Sequence, residues 1–249
     1  MMIGTRRAIL NNRFNPLSIS GLSIWLDAQD SKTISLSGGN VVQWNDKSGK
    51  GNHAVQGTGV NQPVLVASGI NGKPAIRGFP SGVLSQMTIA DSPTLKYSEF
   101  TAFVVFAANG FNDAASNPVF GKYEVTGAQR EFMSILTPTT HLLGQYLSSN
   151  GTSNTLLQTP NAFVVGSAKI GVVGFADAAQ NIQIFGEEQR ILAGSVVFNG
   201  TGAYFLFSRT GSADYFNGWI GEHLFFNRAL SGVEIANINN YLSKKWGVV

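Results

Sequence analysis

The chain contains no cysteine, so disulfides, thiolate metal sites and cysteine nucleophiles are excluded together. Charge is scarce as well: Asp, Glu, Lys and Arg make up 12% of 249 residues, about half the usual ~25%. No run approaches the ~18 apolar residues of a membrane-spanning helix. The apolar run "AIL" near the start is far shorter than the 7–15 residues of a secretory core. The acidic residues are also missing from one place in particular. The first thirteen positions hold Arg6, Arg7 and Arg13 and no Asp or Glu, leaving 14 basic and 14 acidic groups in 14–249. The net charge of +3 therefore belongs to the N-terminal arm, and the body is neutral. A basic groove lined by aromatics, the footprint of a nucleic-acid binder, is not indicated.

What is abundant is glycine, 29 residues, and aromatics, 11%. Residues 1–17 lack periodicity and end at a proline, and read as an arm with Arg6, Arg7, Arg13 and Phe14 as its anchoring candidates. Residues 18–249 read as one domain. Short apolar runs bounded by Gly, Asn or Pro recur at 22–28, 40–44, 62–66, 73–79, 99–108, 131–136, 141–147, 162–169, 170–176, 181–187, 191–198, 203–208 and 218–226. In the first, Leu22, Ile24 and Leu26 alternate with Ser23, Trp25 and Asp27, the period of a strand. About a dozen strands without α/β alternation predict an all-β, two-sheet antiparallel jelly-roll sandwich.

One helix is signalled, at the C-terminal end. Ser231 followed by Glu234 forms a capping box, and Ile235, Ile238 and Leu242 make an apolar stripe. Lys244 and Lys245 occupy the last turn, where the dipole favours cations, and Gly247 ends it.

The stretch "WNDKSGKGNHA" (44–54) concentrates a carboxylate, two lysines and a histidine. A phosphate-binding loop needs glycine where Trp44 stands and Ser or Thr where Gly51 stands. A calcium loop starting at Asp46 puts Lys50 and Gly57 at ligand positions. The better reading is a structural loop built on Trp44, Asp46, Gly49, Gly51 and Asn52. There the carboxylate and amide bond backbone N–H groups and the glycines supply positive φ. Glycoside hydrolysis needs two facing carboxylates. Glu187 and Glu188 are adjacent and diverge, Asp27 and Asp30 are three apart, and Glu222 stands alone. No catalytic constellation is expected, and no enzyme.

Ligand-contact candidates lie on polar loops: Asn112, Asp113, Asn150, Asp214 and Tyr215. These loops read first as ordinary turns and second as contacts to a sugar. No cofactor is expected. Calcium is the one ion considered, with Asp113, Asp177 and Asp214 each solitary in sequence.

Four segments in order, "GLSIWLDAQD", "VVQWNDKSGKGNHAVQ", "NGKPAIRGF" and "FNGWIGEHLFFNRALSGVEIANINNYLSKKWG", resemble the laminin-G-like, concanavalin A-like jelly-roll domains. The resemblance covers most of 20–247. It implies two curved antiparallel sheets with ligands on the concave face or rim, and the glucanase carboxylate pattern of that family is missing. It also implies a tailed-phage virion setting. The leading expectation is thus a non-enzymatic virion structural protein, assembled in the host cytoplasm as a decoration, fibre or baseplate component. Its partners would be capsid or tail proteins and further copies of itself, and neither nucleic acid nor a membrane. The alternative is a carbohydrate-binding module for a surface glycan, and a glycan-active enzyme comes third.

Overall fold

The computed structural model describes residues 14–78, 84–194, 197–209 and 214–249. Arg6, Arg7 and Arg13 lie outside them. In chain order the strands are β1 (Leu22–Asp27), β2 (Ile34–Ser37), β3 (Asn40–Trp44), β4 (Ala54–Val55), β5 (Val64–Ile70), β6 (Lys73–Arg77), β7 (Met87–Ile89) and β8 (Phe100–Ala108). They continue as β9 (Asn117–Glu124), β10 (Gln129–Leu136), β11 (Leu142–Gly151), β12 (Thr155–Ala162), β13 (Ala168–Ala176), β14 (Ala179–Ile184), β15 (Arg190–Ala193), β16 (Tyr204–Leu206) and β17 (Gly218–Phe226), before helix α1 (Gly232–Trp246).

Every pairing is antiparallel. One leaf runs β1–β17–β8–β13–β14–β15, with β6 extending the β1 edge. The other runs β7–β16–β9–β10–β11–β12. β2 to β5 link the leaves at the rim. This is the expected all-β sandwich with one C-terminal helix.

Alternation along each strand decides what fills the space between the leaves. On β17, His223 and Phe225 point inward. Phe225 stacks on Phe132 at 5.9 Å, and the His223 ring lies 4.4 Å from Phe120. Phe100 packs on Phe132 at 4.5 Å. The inner layer is therefore largely aromatic, and its one histidine is buried among rings. The His223 Nδ1–H donates to the Phe103 carbonyl at 2.9 Å, and the Tyr204 hydroxyl, 2.6 Å from Nε2, donates to that nitrogen. Burial holds this imidazole neutral and drives its pKa down to about 3.

The opposite side of β1 and β17 carries Trp25, Asp27 and Glu222. It is buried too, because α1 lies across it. The capping box at Ser231 and Glu234 forms as the spacing predicts, and Gly247 closes the helix at φ 66°. Ile238, Leu242 and Trp246 face the sheet. Trp246 seats over Gly221: a Cβ there would sit 2.6 Å from the indole, so only glycine allows the approach.

Glu222, expected to stand alone, does not. Its Oε1 accepts from Trp25 Nε1 and the Tyr241 hydroxyl, both at 2.8 Å. Its Oε2 accepts from Trp246 Nε1 and pairs with Lys245, both at 2.7 Å. Lys245 also reaches Asp27 (2.8 Å), which pairs with Lys47, which in turn pairs with Asp30 (2.9 Å). Spacing along one strand could not show this, since the cluster draws residues from β1, the turn after it, the loop after β3 and α1. Burial raises the Glu222 pKa, with Lys245 pulling the other way. The cluster ties the first strand, the last strand and the helix into one unit.

The structure departs from the sequence reading in several places, with β2, β4, β7, β9 and β12 lying where no strand was expected. Residues 163–167, expected within a strand, form a turn between β12 and β13, with Phe163 buried against Phe106 and Val164 and Val165 in solvent. The 147–155 stretch, expected as a loop, continues β11 to Gly151.

Candidate functional site

The loop after Trp44 is organised by Asp46. Its Oδ1 accepts from the Trp25 and Ser48 N–H groups, and its Oδ2 from the Ser48 hydroxyl and the Asn52 N–H. The Asn52 amide donates to the Ser23 carbonyl and to Thr94. Gly49 and Gly51 adopt φ of 80° and 75°. His53 accepts from the Asp46 N–H through Nδ1. Every polar group of Asp46 is thus turned inward, bracing β1. Trp44 itself is fully buried.

The ligand-contact candidates separate into two ends of the second leaf. Asn112 and Asp113 sit beside the 137–141 hairpin, where the Asp113 carboxylate lies 2.6 Å from His141 Nε2 and Phe111 stacks on that imidazole at 3.7 Å. The His141 partner holds the Asp113 carboxyl below its ordinary pKa. Asn150 lies at the far end of β11, where its Oδ1 caps the turn by accepting from the Thr152 and Ser153 N–H groups. Asp214 pairs with Arg209 at 2.5 Å, and Tyr215 bridges to Ser208. Asp177 lies on a turn at φ 51°. Among the described residues no three His, Asp or Glu side chains converge on a metal position.

A second apolar cluster, which none of these candidates joins, was not singled out in the sequence. On β9, Phe120 and Lys122 face the core, so Tyr123 faces away from it. The register lines up Phe205 (β16), Gly121 (β9), Met133 (β10), Tyr146 (β11) and Leu156 (β12) as a row across five strands. Tyr123, Met133, Ile135 and Phe205, with Tyr146 packed against them, form an apolar cluster separate from the main core. Gly121 is required at the centre, since a Cβ would lie 2.4 Å from the Phe132 carbonyl oxygen.

Polar groups border this row. The Tyr123 hydroxyl donates to Asn154 Oδ1 at 2.7 Å, and the two tyrosine rings are 6.2 Å apart. The Arg130 guanidinium lies over the Tyr123 ring at 5.7 Å and donates to the Thr152 carbonyl, in the turn that Asn150 caps. Burial raises the Tyr123 pKa; Arg130 and Arg209 oppose the shift, while Tyr146 and Asp214 add to it. That hydroxyl is therefore a permanent donor in neutral solution. Tyr123, Met133 and Phe205 are themselves buried, so the face presents the half-buried Tyr146 and Leu156, edged by the Arg130 guanidinium and the Asn154 amide. Among the described residues it holds no pair of carboxylates set to attack and protonate a bond.

No family model and no curated protein matches this sequence. Solved structures do share the fold. Domain 4 of AbnA, a GH43 extracellular arabinanase from Geobacillus stearothermophilus, in complex with arabinotriose, superposes with a TM-score of 0.60 at 14% identity. It covers 88% of this chain and 98% of that domain. The binding domain of Paraclostridial Mosquitocidal Protein 1 gives 0.65 at 12% identity, over 94% of this chain and 56% of that one. A botulinum neurotoxin type C chain, a toxin that depends on two ganglioside molecules to enter cells, gives 0.62 at 12%, over 89% and 51%. The chain thus spans about half of each toxin chain and nearly all of the arabinanase domain. At these identities the likeness establishes the fold.

Proposed function

We propose that this chain is a non-catalytic saccharide-binding jelly roll whose contact surface is the outward face of β9, β10, β11 and β16. The observation that carries the reading is the half-exposed Tyr146 ring, supported from beneath by the buried Phe205–Gly121–Met133 row and Tyr123, with Arg130 and Asn154 beside it. A sugar ring presents apolar C–H groups on its faces and hydroxyls around its edge. Aromatic surface takes the former, and amide and guanidinium groups take the latter. Support from outside the chain comes from the arabinanase domain, whose whole length matches and which is seen with arabinotriose. The test is a glycan array followed by titration calorimetry, with arabinotriose among the ligands, with and without calcium. Binding that Tyr146→Ala abolishes and Tyr146→Phe retains supports the reading. Wild-type protein that binds no glycan sinks it.

A virion location is compatible with this activity, the jelly roll projecting to touch a host surface while the basic arm docks on a particle. Its support is the confinement of the net charge to the first thirteen residues. In the fold, Phe14 lies against Tyr241 of α1 at 5.8 Å and Pro16 is buried, so the arm ends on the body at a fixed point. Undiminished incorporation into particles after deletion of residues 1–17 refutes the arm's role.

A further inference from the structure

On the other side of the sandwich, a cavity of about 890 Å³ opens where α1 meets the residues after β1. Phe14 and Tyr241 supply an aromatic wall, with rings 5.8 Å apart and inclined by 52°. The remaining lining is rich in donors. Gln29 Nε2 is buried without an acceptor among the described residues. Leaving such a donor unmet costs about 1–3 kcal/mol, so an arriving acceptor is favoured. Asn237 and Asn240 line the cavity from successive turns of α1, and Lys244 follows.

Charge decides the kind of acceptor. Lys245 also lines the cavity, but its ammonium is taken inward by Asp27, Glu222 and the Tyr241 hydroxyl. Lys244 has no ion pair among the described residues. The carboxylates behind the wall, Asp27, Asp30 and Glu222, face Lys47 and Lys245, and Lys32 stands beside Asp30. With Lys244 included, the local sum is one positive charge, and the lining itself has no carboxylate.

We propose that this cavity is a binding site for a carboxylate-bearing monosaccharide of the hexuronic acid class. Gln29 and Lys244 take the carboxylate, Asn237 and Asn240 take ring hydroxyls, and the ring's apolar face lies on Phe14 and Tyr241. The inference is independent of the outward face of β9–β11, which contributes no residue to it.

The experiment is an amide NMR titration of the full chain with glucuronate. Glucose serves as the same ring without the carboxylate, and acetate as the carboxylate without the ring. Saturable shifts at the Gln29, Asn237 and Asn240 side chains, with a Kd of about 1 mM, are expected. Lys244→Ala should weaken binding about fivefold, the worth of one charge-assisted hydrogen bond exposed to solvent. Tyr146→Ala should leave it unchanged. Non-saturable shifts overturn the site. Glucose or acetate binding as tightly as glucuronate overturns the ligand class. Loss in Tyr146→Ala but not in Lys244→Ala moves the binding to the other face and refutes the proposal.

Discussion

His223 makes acid stability calculable. In the fold its pKa is down at about 3, because burial penalises the imidazolium and the Nδ1–H bond to the Phe103 carbonyl only partly offsets this. In the unfolded chain it returns to the ordinary value near 6.5. A folded pKa below the unfolded one means that the unfolded state binds the extra proton. The contribution is fully present above pH 6.5 and is lost as pH falls towards 3. Between pH 7 and pH 5 the loss comes to about 2 kcal/mol, and over the whole window to roughly 4–5 kcal/mol. With a urea slope of about 2–3 kcal/mol/M, the unfolding midpoint should drop by about 0.7–1 M between pH 7 and pH 5. His223→Gln should start less stable and lose that part of the slope. Glu222 works against the trend: burial raises its folded pKa, so its penalty is relieved as pH falls towards 4.5. The comparison with His223→Gln cancels that term. If both proteins show parallel pH dependence, or the His223 ring titrates near 6.5 in the folded state by NMR, the reasoning fails.

Further expectations concern the braces of the fold. Asp46→Ala strips four acceptor contacts from one side chain. It should cost about 3 kcal/mol and lower Tm by about 6–12 °C, with glycan binding intact in calorimetry. Gly221→Ala drives a methyl into the Trp246 indole and should cost about 2–3 kcal/mol, with a changed tryptophan near-UV signal. Unaltered spectra and stability would show that the helix stands further off. Glu222→Leu leaves two indole N–H groups without their acceptor, takes the acceptor of the Tyr241 hydroxyl and leaves Lys245 with Asp27 as its one carboxylate, and should cost about 3–5 kcal/mol in urea unfolding. A neutral result would mean that the cluster is solvated.

The fold class was legible because its signals are local. Period-two runs gave strands, and Ser231 with Glu234 gave the helix start, since capping is settled within four residues. The turn reading of Asp46 likewise needed only neighbours. Strands β2, β4, β7, β9 and β12 went unrecognised: β2, β4 and β7 are only two to four residues long, β9 has Pro118 and Gly121 inside it, and β12 is polar where it meets solvent. The proposed contact face was invisible for a different reason. Tyr123, Met133 and Tyr146 meet through the register of consecutive hairpins, which depends on bulges the sequence does not mark, and Phe205 joins them from β16, much later in the chain. Glu222 shows the same limit, since its partners include residues 197 positions away.

That separation bears on how the protein is made. β1 is translated early, yet its hydrogen-bonding neighbour is β17, and apart from Lys47 over the Trp25 ring its outer face is covered by α1. At about 5–20 residues per second, the ribosome needs roughly 10–40 s to deliver the missing strand. Throughout that interval Trp25 has the 45–52 loop as partial cover but neither the Glu222 acceptor for its indole nor the helix over it. A nascent chain must stay soluble with its first strand open, and the low-charge body makes this the stage at which chaperone dependence and aggregation should concentrate.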